Sequence, residues 1–97
     1  MSLYEYPHRF RLYLAGHTQT SKDAFREVKD LCQKVLPGRH RIEIVDILRH
    51  PERAAKEGIT MTPALVRLEP KPIKKIVATF GLAEELMQTL QLEMITD

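Results

Sequence analysis

The residues of this chain that could perform chemistry are one cysteine, four histidines and a set of basic side chains. Cys32 is the only thiol, which excludes an internal disulfide, a cluster of cysteine ligands and any mechanism that needs a dithiol. The histidines lie in four separate segments, and no two are four residues apart; they are His8, His17, His40 and His50. The sequence therefore predicts neither a metal site nor a bound cofactor.

Two further enzyme classes lack their motifs. Gly16 and Gly38 are isolated, and neither is followed by Lys-Ser or Lys-Thr, so the phosphate-binding loop of an NTPase is absent. Hydroxyl side chains lie near His17, but neighbours in one turn rarely reach the geometry of a catalytic triad, and no acid accompanies them. We predict that the chain is not an enzyme.

Composition narrows the class of protein further. The 97 residues, 43 % of them hydrophobic, predict one domain over residues 1–97. No apolar run is long enough to span a membrane and no secretion leader opens the chain, so we expect a soluble, cytoplasmic protein that binds no membrane. The net charge is only +2. In addition, basic residues do not alternate with aromatic residues as they do in RNA-binding strands, so no nucleic-acid partner is predicted.

Hydrophobic periodicity predicts seven elements in the order βαβαββα. Alternation at Phe10, Leu12 and Leu14 indicates the first strand, and Pro51 and Gly58 bracket a short helix. The predicted elements are strand 8–15, helix 21–36, strand 41–48, helix 51–57, strand 64–68, strand 73–78 and a last helix after Gly81. A right-handed crossover makes the first two strands parallel, and two prolines between the last two indicate an antiparallel hairpin.

The helix 21–36 and the strand that follows it are the most strongly patterned segments. Apolar residues spaced three and four apart form one face of the helix: Ala24, Phe25, Val28, Leu31, Cys32, Val35 and Leu36. Cys32 is therefore predicted to be a core residue, and Thr20 or Ser21 is predicted to cap the helix. The apolar run that ends the strand 41–48 predicts that this end is buried on both faces.

This order of elements is the organisation of the thioredoxin fold, which makes the loop after the first strand the critical segment. Redox members hold Cys-x-x-Cys there, where the helix dipole lowers a thiol pKa. Residues 16–21 contain no cysteine, so thiol–disulfide exchange is not expected. Pro63 precedes a strand, and we predict a cis peptide bond in the thioredoxin-like arrangement; the alternative is an ordinary trans proline that opens the strand.

Four basic side chains surround the predicted hairpin, and two interpretations of them are open. The cluster comprises Arg67, Lys71, Lys74 and Lys75. Like charges of this kind attract an anionic surface, and lysines also protect a sheet edge from pairing with another chain.

Four segments of the chain resemble the KaiB family of circadian clock proteins, over residues 9–90. They are RLYLAG at 11–16, IVDIL at 44–48 with Pro51 soon after, TPALV at 62–66 and PIKKI at 72–76. The same pattern is similar to the KaiB-like sensor domain of the clock histidine kinase SasA. The resemblance implies a non-enzymatic protein that binds a KaiC-type ATPase and modulates its phosphorylation state in circadian or stress timing. Further implied partners are a clock histidine kinase and a KaiA-like protein.

The resemblance also implies two alternative folds for one chain. Family members switch between a ground state of order βαββααβ, which forms homo-oligomers (a dimer or tetramer), and a thioredoxin-like βαβαββα state that binds KaiC. Where family members have Gly-Asp after the last basic strand, this chain has Ala78 and Thr79. Ala78 replaces a flexible glycine and Thr79 favours continued strand, so we predict a mixed α/β sheet of the thioredoxin-like type.

In the thioredoxin-like state the hairpin and the second helix are expected to share an exposed region. The residues predicted to face a partner are Glu52, Arg53, Lys56, Arg67, Lys71, Lys74 and Lys75. Pro63, Ala78 and Thr79 are predicted to have structural roles. The alternative function is a redox or chaperone-like protein of thioredoxin fold without the Cys-x-x-Cys motif.

Overall fold

The computed structural model describes residues 7–77 and 81–96 of the chain. These residues form seven elements in the predicted order βαβαββα. The elements are β1 (His8–Leu14), α1 (Gln19–Val35), β2 (His40–Asp46), α2 (Pro51–Glu57), β3 (Ala64–Glu69), β4 (Lys74–Val77) and α3 (Leu82–Thr96).

One four-stranded mixed sheet holds the structure together, with strand order β2-β1-β3-β4. β1 pairs with β2 in parallel, and β3 is antiparallel to both β1 and β4. The predicted parallel pair and the predicted hairpin are both confirmed. β1 and β3 are the two central strands, which is why their side chains dominate the core.

The sheet has a hydrophobic cluster on each face, and alternation along each strand decides which residues join which. Phe10, Leu12 and Leu65 point to the face that α1 and α3 cover, where Cys32 and Leu86 pack against them. On the other face, the smaller cluster contains Tyr13, Val45, Ala54, Ala64 and Val66. Ala54 is the residue that α2 contributes to this cluster. The short helix α2 therefore packs on this face of the sheet, opposite α1 and α3.

The first helix begins earlier than the pattern predicts. Thr18 is the N-cap, and its hydroxyl oxygen accepts a hydrogen bond from the backbone amide of Ser21 at 3.1 Å. The predicted cap at Thr20 or Ser21 is wrong because Ser21 lies in the first turn and is itself buried. Its hydroxyl donates to the carbonyl oxygen of Ala15 at 3.4 Å, which holds the preceding loop against the helix.

The predicted burial of the end of β2 on both faces is wrong, because β2 is an edge strand. Ile44 is 43 % exposed, and Leu48, in the turn beyond the strand, is 70 % exposed. Phe25 lies at the margin of the apolar face of α1 and is also partly exposed. These three side chains therefore belong to an apolar surface rather than to the core.

The Thr62-Pro63 peptide bond is cis, as predicted, and so are Glu69-Pro70 and Lys71-Pro72 in the turn between β3 and β4. α2 matches its predicted bounds, with Pro51 in its first turn and Gly58 as a left-handed C-cap. Ala78, the last residue of the predicted fourth strand, and Thr79 lie outside the described residues. In the part of the chain that is described, no helix has the length and apolarity needed to cross a membrane.

Candidate interaction surface

The loop between β1 and α1 is held by a carboxylate at the end of β2. The Asp46 Oδ1 accepts hydrogen bonds from the backbone amides of Gly16 and Leu48, both at 3.0 Å. Both hydrogen bonds lower the pKa of Asp46, and the one from Gly16 has the larger effect. Gly16 has a φ of +70°, which lies in the left-handed region that residues with a Cβ atom rarely adopt. Backbone groups and an acid thus determine the shape of a loop that holds a thiol pair in redox thioredoxins.

Cys32 is remote from thiol chemistry in this fold. Its side chain is fully buried in the larger core cluster, as predicted, and burial raises the pKa of its thiol to about 12. A thiol with that pKa stays protonated at neutral pH and is a poor nucleophile. The start of α1 instead faces Pro63 across a cavity of about 260 Å³, whose lining includes Thr20 and Gly81.

A carboxylate on α2 ties that helix to the central strand. The Glu57 Oε1 accepts hydrogen bonds from Arg11 Nη1 at 2.8 Å and from the Tyr13 hydroxyl at 3.0 Å. Tyr13 is 1 % exposed, and burial is the main cause that raises the pKa of its hydroxyl. Because the Tyr13 ring is buried under α2, Glu57 provides the partner that its polar end requires.

A second carboxylate extends this network to the edge strand. Glu43 on β2 accepts hydrogen bonds from Arg11 Nε at 2.8 Å and from Arg53 Nη2 at 3.0 Å. The Arg11 guanidinium is the main cause that lowers the pKa of Glu43, and Glu43 in turn raises the pKa of Arg11. Arg11 and Arg53 of this network, together with Glu57 and Lys56, line a polar pocket of about 400 Å³ that is open to solvent. The network holds α2 in one position, with the remaining side of the helix exposed to solvent.

The Glu43 network predicts a specific dependence of stability on acid. Because the pKa of Glu43 is lower in the folded chain than its ordinary value of 4.5, its contribution is complete above that pH. The contribution is then lost as the pH falls through the folded-state pKa. We expect the melting temperature of Glu43→Gln to fall less than that of the wild type between about pH 5 and pH 3.

Circular dichroism melts at several pH values measure this difference, with Glu27→Gln as the control. Glu27 is an exposed acid in the middle of α1, so its removal should leave the pH dependence close to that of the wild type. Identical pH profiles for Glu43→Gln and the wild type would show that the ion pair with Arg11 contributes nothing to the folded state.

The residues of α2 that were predicted to face a partner differ in their environment. Glu52 and Lys56 are exposed, and Glu52 lies 3.5 Å from the ring of His50. Arg53 is partly buried because it pairs with Glu43. All three lie on the side of the sheet that α2 covers, so the structure does bring them together.

The hairpin lysines do not all join that region. Lys75 is in register with Val66, which places it on the α2 side, and its Nζ lies 3.2 Å from the position that a Cβ on Gly58 would occupy. Lys74 is in register with Arg67 and therefore points to the side of α1 and α3. Lys71 is exposed in the turn. The expectation of one region shared by the hairpin and α2 therefore holds for Lys75 and not for Lys74.

Arg67 is the predicted partner-facing residue that the structure places in the interior. It is 1 % exposed, and its Nη2 donates a hydrogen bond to the carbonyl oxygen of Pro72 at 3.0 Å. The prediction of an exposed Arg67 is wrong because this position of β3 faces the larger core cluster beside Phe10. Its guanidinium group instead stabilises the β3–β4 turn through this hydrogen bond.

Comparison with known proteins identifies the family. A model of the KaiB domain matches residues 11–92 of the chain. The chain belongs to the KaiB family. The circadian clock protein KaiB3 of Synechocystis is 32 % identical over 82 residues, which cover 84 % of this chain and 80 % of that relative. The circadian clock oscillator protein KaiB of Microcystis aeruginosa is 28 % identical over 92 residues, which cover 95 % and 88 %. Membership in this family supports a role in the circadian clock.

Solved structures place this KaiB-family chain in a particular fold. The N-terminal domain of Synechococcus elongatus SasA superposes with a TM-score of 0.81 at 17 % identity, covering 95 % of this chain and 87 % of that domain. Chloroplastic thioredoxin z superposes with a TM-score of 0.70 at 16 % identity, covering 89 % and 77 %. The predicted thioredoxin-like fold is confirmed by both likenesses.

Proposed function

We propose that this KaiB-family chain is a non-enzymatic protein that binds a KaiC-type ATPase and modulates its phosphorylation state in circadian or stress timing. The observation that carries the proposal is that a thioredoxin-like fold here lacks the thiol pair that redox thioredoxins use. Residues 16–21 contain no thiol, and the burial of Cys32 raises its pKa to about 12. These two features favour action by binding rather than by catalysis, and membership in the KaiB family supports a clock ATPase as the partner.

Size-exclusion chromatography with a purified KaiC homologue tests the proposal. The mixture should give a peak that contains both proteins, and Cys32→Ser should co-elute to the same extent as the wild type. In parallel, reduction of insulin by dithiothreitol should proceed at the rate of the protein-free control. Catalysed reduction together with failure to co-elute would support the alternative of a thioredoxin-fold redox protein.

We place the docking surface on the exposed side of α2 together with Lys75. Lys56 and Lys75 present two cations there, and Lys75 lies beside the C-terminal end of α2. Glu52 and Arg53 lie on the same side, and Lys71, exposed in the β3–β4 turn, is not part of this surface. The network centred on Glu57 and Glu43 fixes α2, so the surface is formed before the partner arrives, which lowers the entropic cost of binding.

Lys74 and Lys75 provide a matched pair of variants, because neighbours on a strand point to opposite faces. We expect Lys75→Glu to weaken binding of the KaiC homologue by about tenfold and Lys74→Glu by less than about threefold. Isothermal titration calorimetry measures both affinities, and circular dichroism confirms that both variants are folded. The reverse order of effects would move the interface to the face covered by α1 and α3.

The SasA domain suggests a mode of regulation. Since it shares this arrangement of strands and helices, a clock histidine kinase with such a domain is expected to compete with this chain for one site on the ATPase. An excess of the SasA N-terminal domain should displace the chain from the complex. A ternary complex at saturation would show that the two proteins use separate sites, and a KaiA-like protein is then the next partner to test.

We also propose that the arrangement described above is the binding-competent member of a fold-switching pair, in which the βαββααβ state forms the homo-oligomer. Glu57 lies in the second half of the chain and contacts Arg11 and Tyr13 in the first half. These contacts stabilise the thioredoxin-like order, so their loss is expected to raise the population of the other state. Light scattering and amide NMR spectra of the Glu57→Ala variant test this, and a monomeric spectrum with only the thioredoxin-like chemical shifts would exclude it.

A further inference from the structure

On the α2 side of the sheet, one cross-strand pair of β1 and β2 has opposite charges and the next pair has like charges. In the parallel β1–β2 pair, Arg11 lies in register with Glu43, and the two side chains form an ion pair at 2.8 Å. Two residues nearer the start of both strands, Arg9 lies in register with Arg41. Like charges directly across a strand pair are unfavourable. An anion placed between these two guanidinium groups would therefore stabilise the folded chain.

The charge around Arg9 and Arg41 is mainly positive. A pocket of about 410 Å³ opens here, and its lining also includes Arg39, His40 and Glu69; we refer to it as the Arg9–Arg41 pocket. Glu69 pairs with Arg9 at 2.9 Å, but both side chains are about half exposed, and such pairs are weak. Arg41 forms no ion pair with any residue in the described ranges 7–77 and 81–96.

The position of α2 leaves this pocket open. The helix contacts the same face through Glu57, which reaches Arg11 and Tyr13, and through Arg53, which reaches Glu43. The pocket begins one side-chain row farther toward the start of β1 and β2. It is therefore separate from the network that fixes α2 and from the proposed docking surface around Lys56 and Lys75.

We propose that the Arg9–Arg41 pocket binds a polyphosphate anion, with Arg9, Arg39 and Arg41 donating hydrogen bonds to its oxygens. Guanidinium groups bind phosphate oxygens in pairs through their planar donor forks. Adjacent strands are about 4.8 Å apart, so two or three linked phosphates reach guanidinium groups on both strands, whereas one carboxylate occupies a single fork. The pocket volume is within the range of small-ligand sites.

Calorimetric titration of the full chain with inorganic tripolyphosphate tests this site at about 0.1 M ionic strength, where screening limits the influence of a charge to about 10 Å. We expect saturable binding, and Arg41→Gln should weaken it by about tenfold, the loss of one charge-assisted contact. Arg49→Gln is the matched control, because it removes the same charge beyond the opposite end of β2; it should change the affinity by less than about twofold. Circular dichroism melts establish that both variants are folded.

Parallel titrations with ATP and with a hexaglutamate peptide identify the source of the anion. Equal affinities for ATP and tripolyphosphate would assign the site to the phosphate chain, and tighter binding of ATP would assign it to a nucleotide; both results support the proposal. Three results would overturn it: no binding of tripolyphosphate at 10 mM, equal weakening by Arg41→Gln and Arg49→Gln, or tighter binding of hexaglutamate, which would indicate an acidic protein segment.

Discussion

Glu57→Ala is expected to destabilise the folded chain by about 1 to 3 kcal/mol, because one carboxylate serves two donors. Its removal leaves the Tyr13 hydroxyl, on a side chain that is 1 % exposed, without that hydrogen-bond acceptor, and it takes one of two carboxylates from Arg11. A buried polar group that loses its partner costs its full desolvation penalty. Urea denaturation followed by circular dichroism measures the loss, at a protein concentration at which light scattering detects only the monomer.

The control lies on the same helix. Glu52 is exposed in the first turn of α2, so Glu52→Ala should change the free energy of unfolding by less than about 0.5 kcal/mol. Tyr13→Phe removes the hydroxyl together with its need for a partner and should cost less than Glu57→Ala. Equal effects of Glu57→Ala and Glu52→Ala would mean that the contacts of Glu57 do not hold α2 on the sheet.

Leu65→Ala is expected to cost about 3 to 5 kcal/mol, because the leucine is fully buried on a central strand. Leu65 lies in register with Leu12 on one side and with Ile76 on the other, beneath α1 and α3. Truncation removes apolar contacts and leaves a cavity that a close-packed core fills only in part. A loss of this size is a large fraction of the stability of a typical domain.

Val77→Ala is the matched substitution on the neighbouring edge strand. Val77 is 39 % exposed, so its truncation should cost less than about 1 kcal/mol. The same urea denaturation curves give both values. Similar costs for the two variants would contradict the described packing of β3 and β4, since only one of the two side chains lies within the core.

The elements that could be predicted from sequence are those with local signals. Pro51 and Gly58 mark the two ends of α2, and the observed helix has the predicted bounds. The apolar face of α1 correctly assigned Cys32 to the core. The position of β2 at the edge of the sheet was not predictable in this way, because an apolar run occurs in central and edge strands alike. In the structure β2 is an edge strand, and its Ile44 is 43 % exposed.

The candidate surface was harder to predict because its contacts are distant in sequence. Glu57 is 46 residues from Arg11, and no local pattern pairs them. The faces of Lys74 and Lys75 follow from the register of β4 on β3, which the hairpin prediction left open. Arg67 was predicted to face a partner because it belongs to a cluster of four like charges around the hairpin, yet it is buried and the β3–β4 turn supplies a carbonyl oxygen for it.

We propose that this chain docks onto a KaiC-type ATPase through the α2 side of a thioredoxin-like sheet. Hydrogen–deuterium exchange of the chain, alone and saturated with a KaiC homologue, tests it most directly. Docking through α2 and Lys75 should concentrate the added protection in residues 51–58 and 74–77. Protection confined to α1 and α3, or no change at any amide when the partner is present in excess, would contradict it.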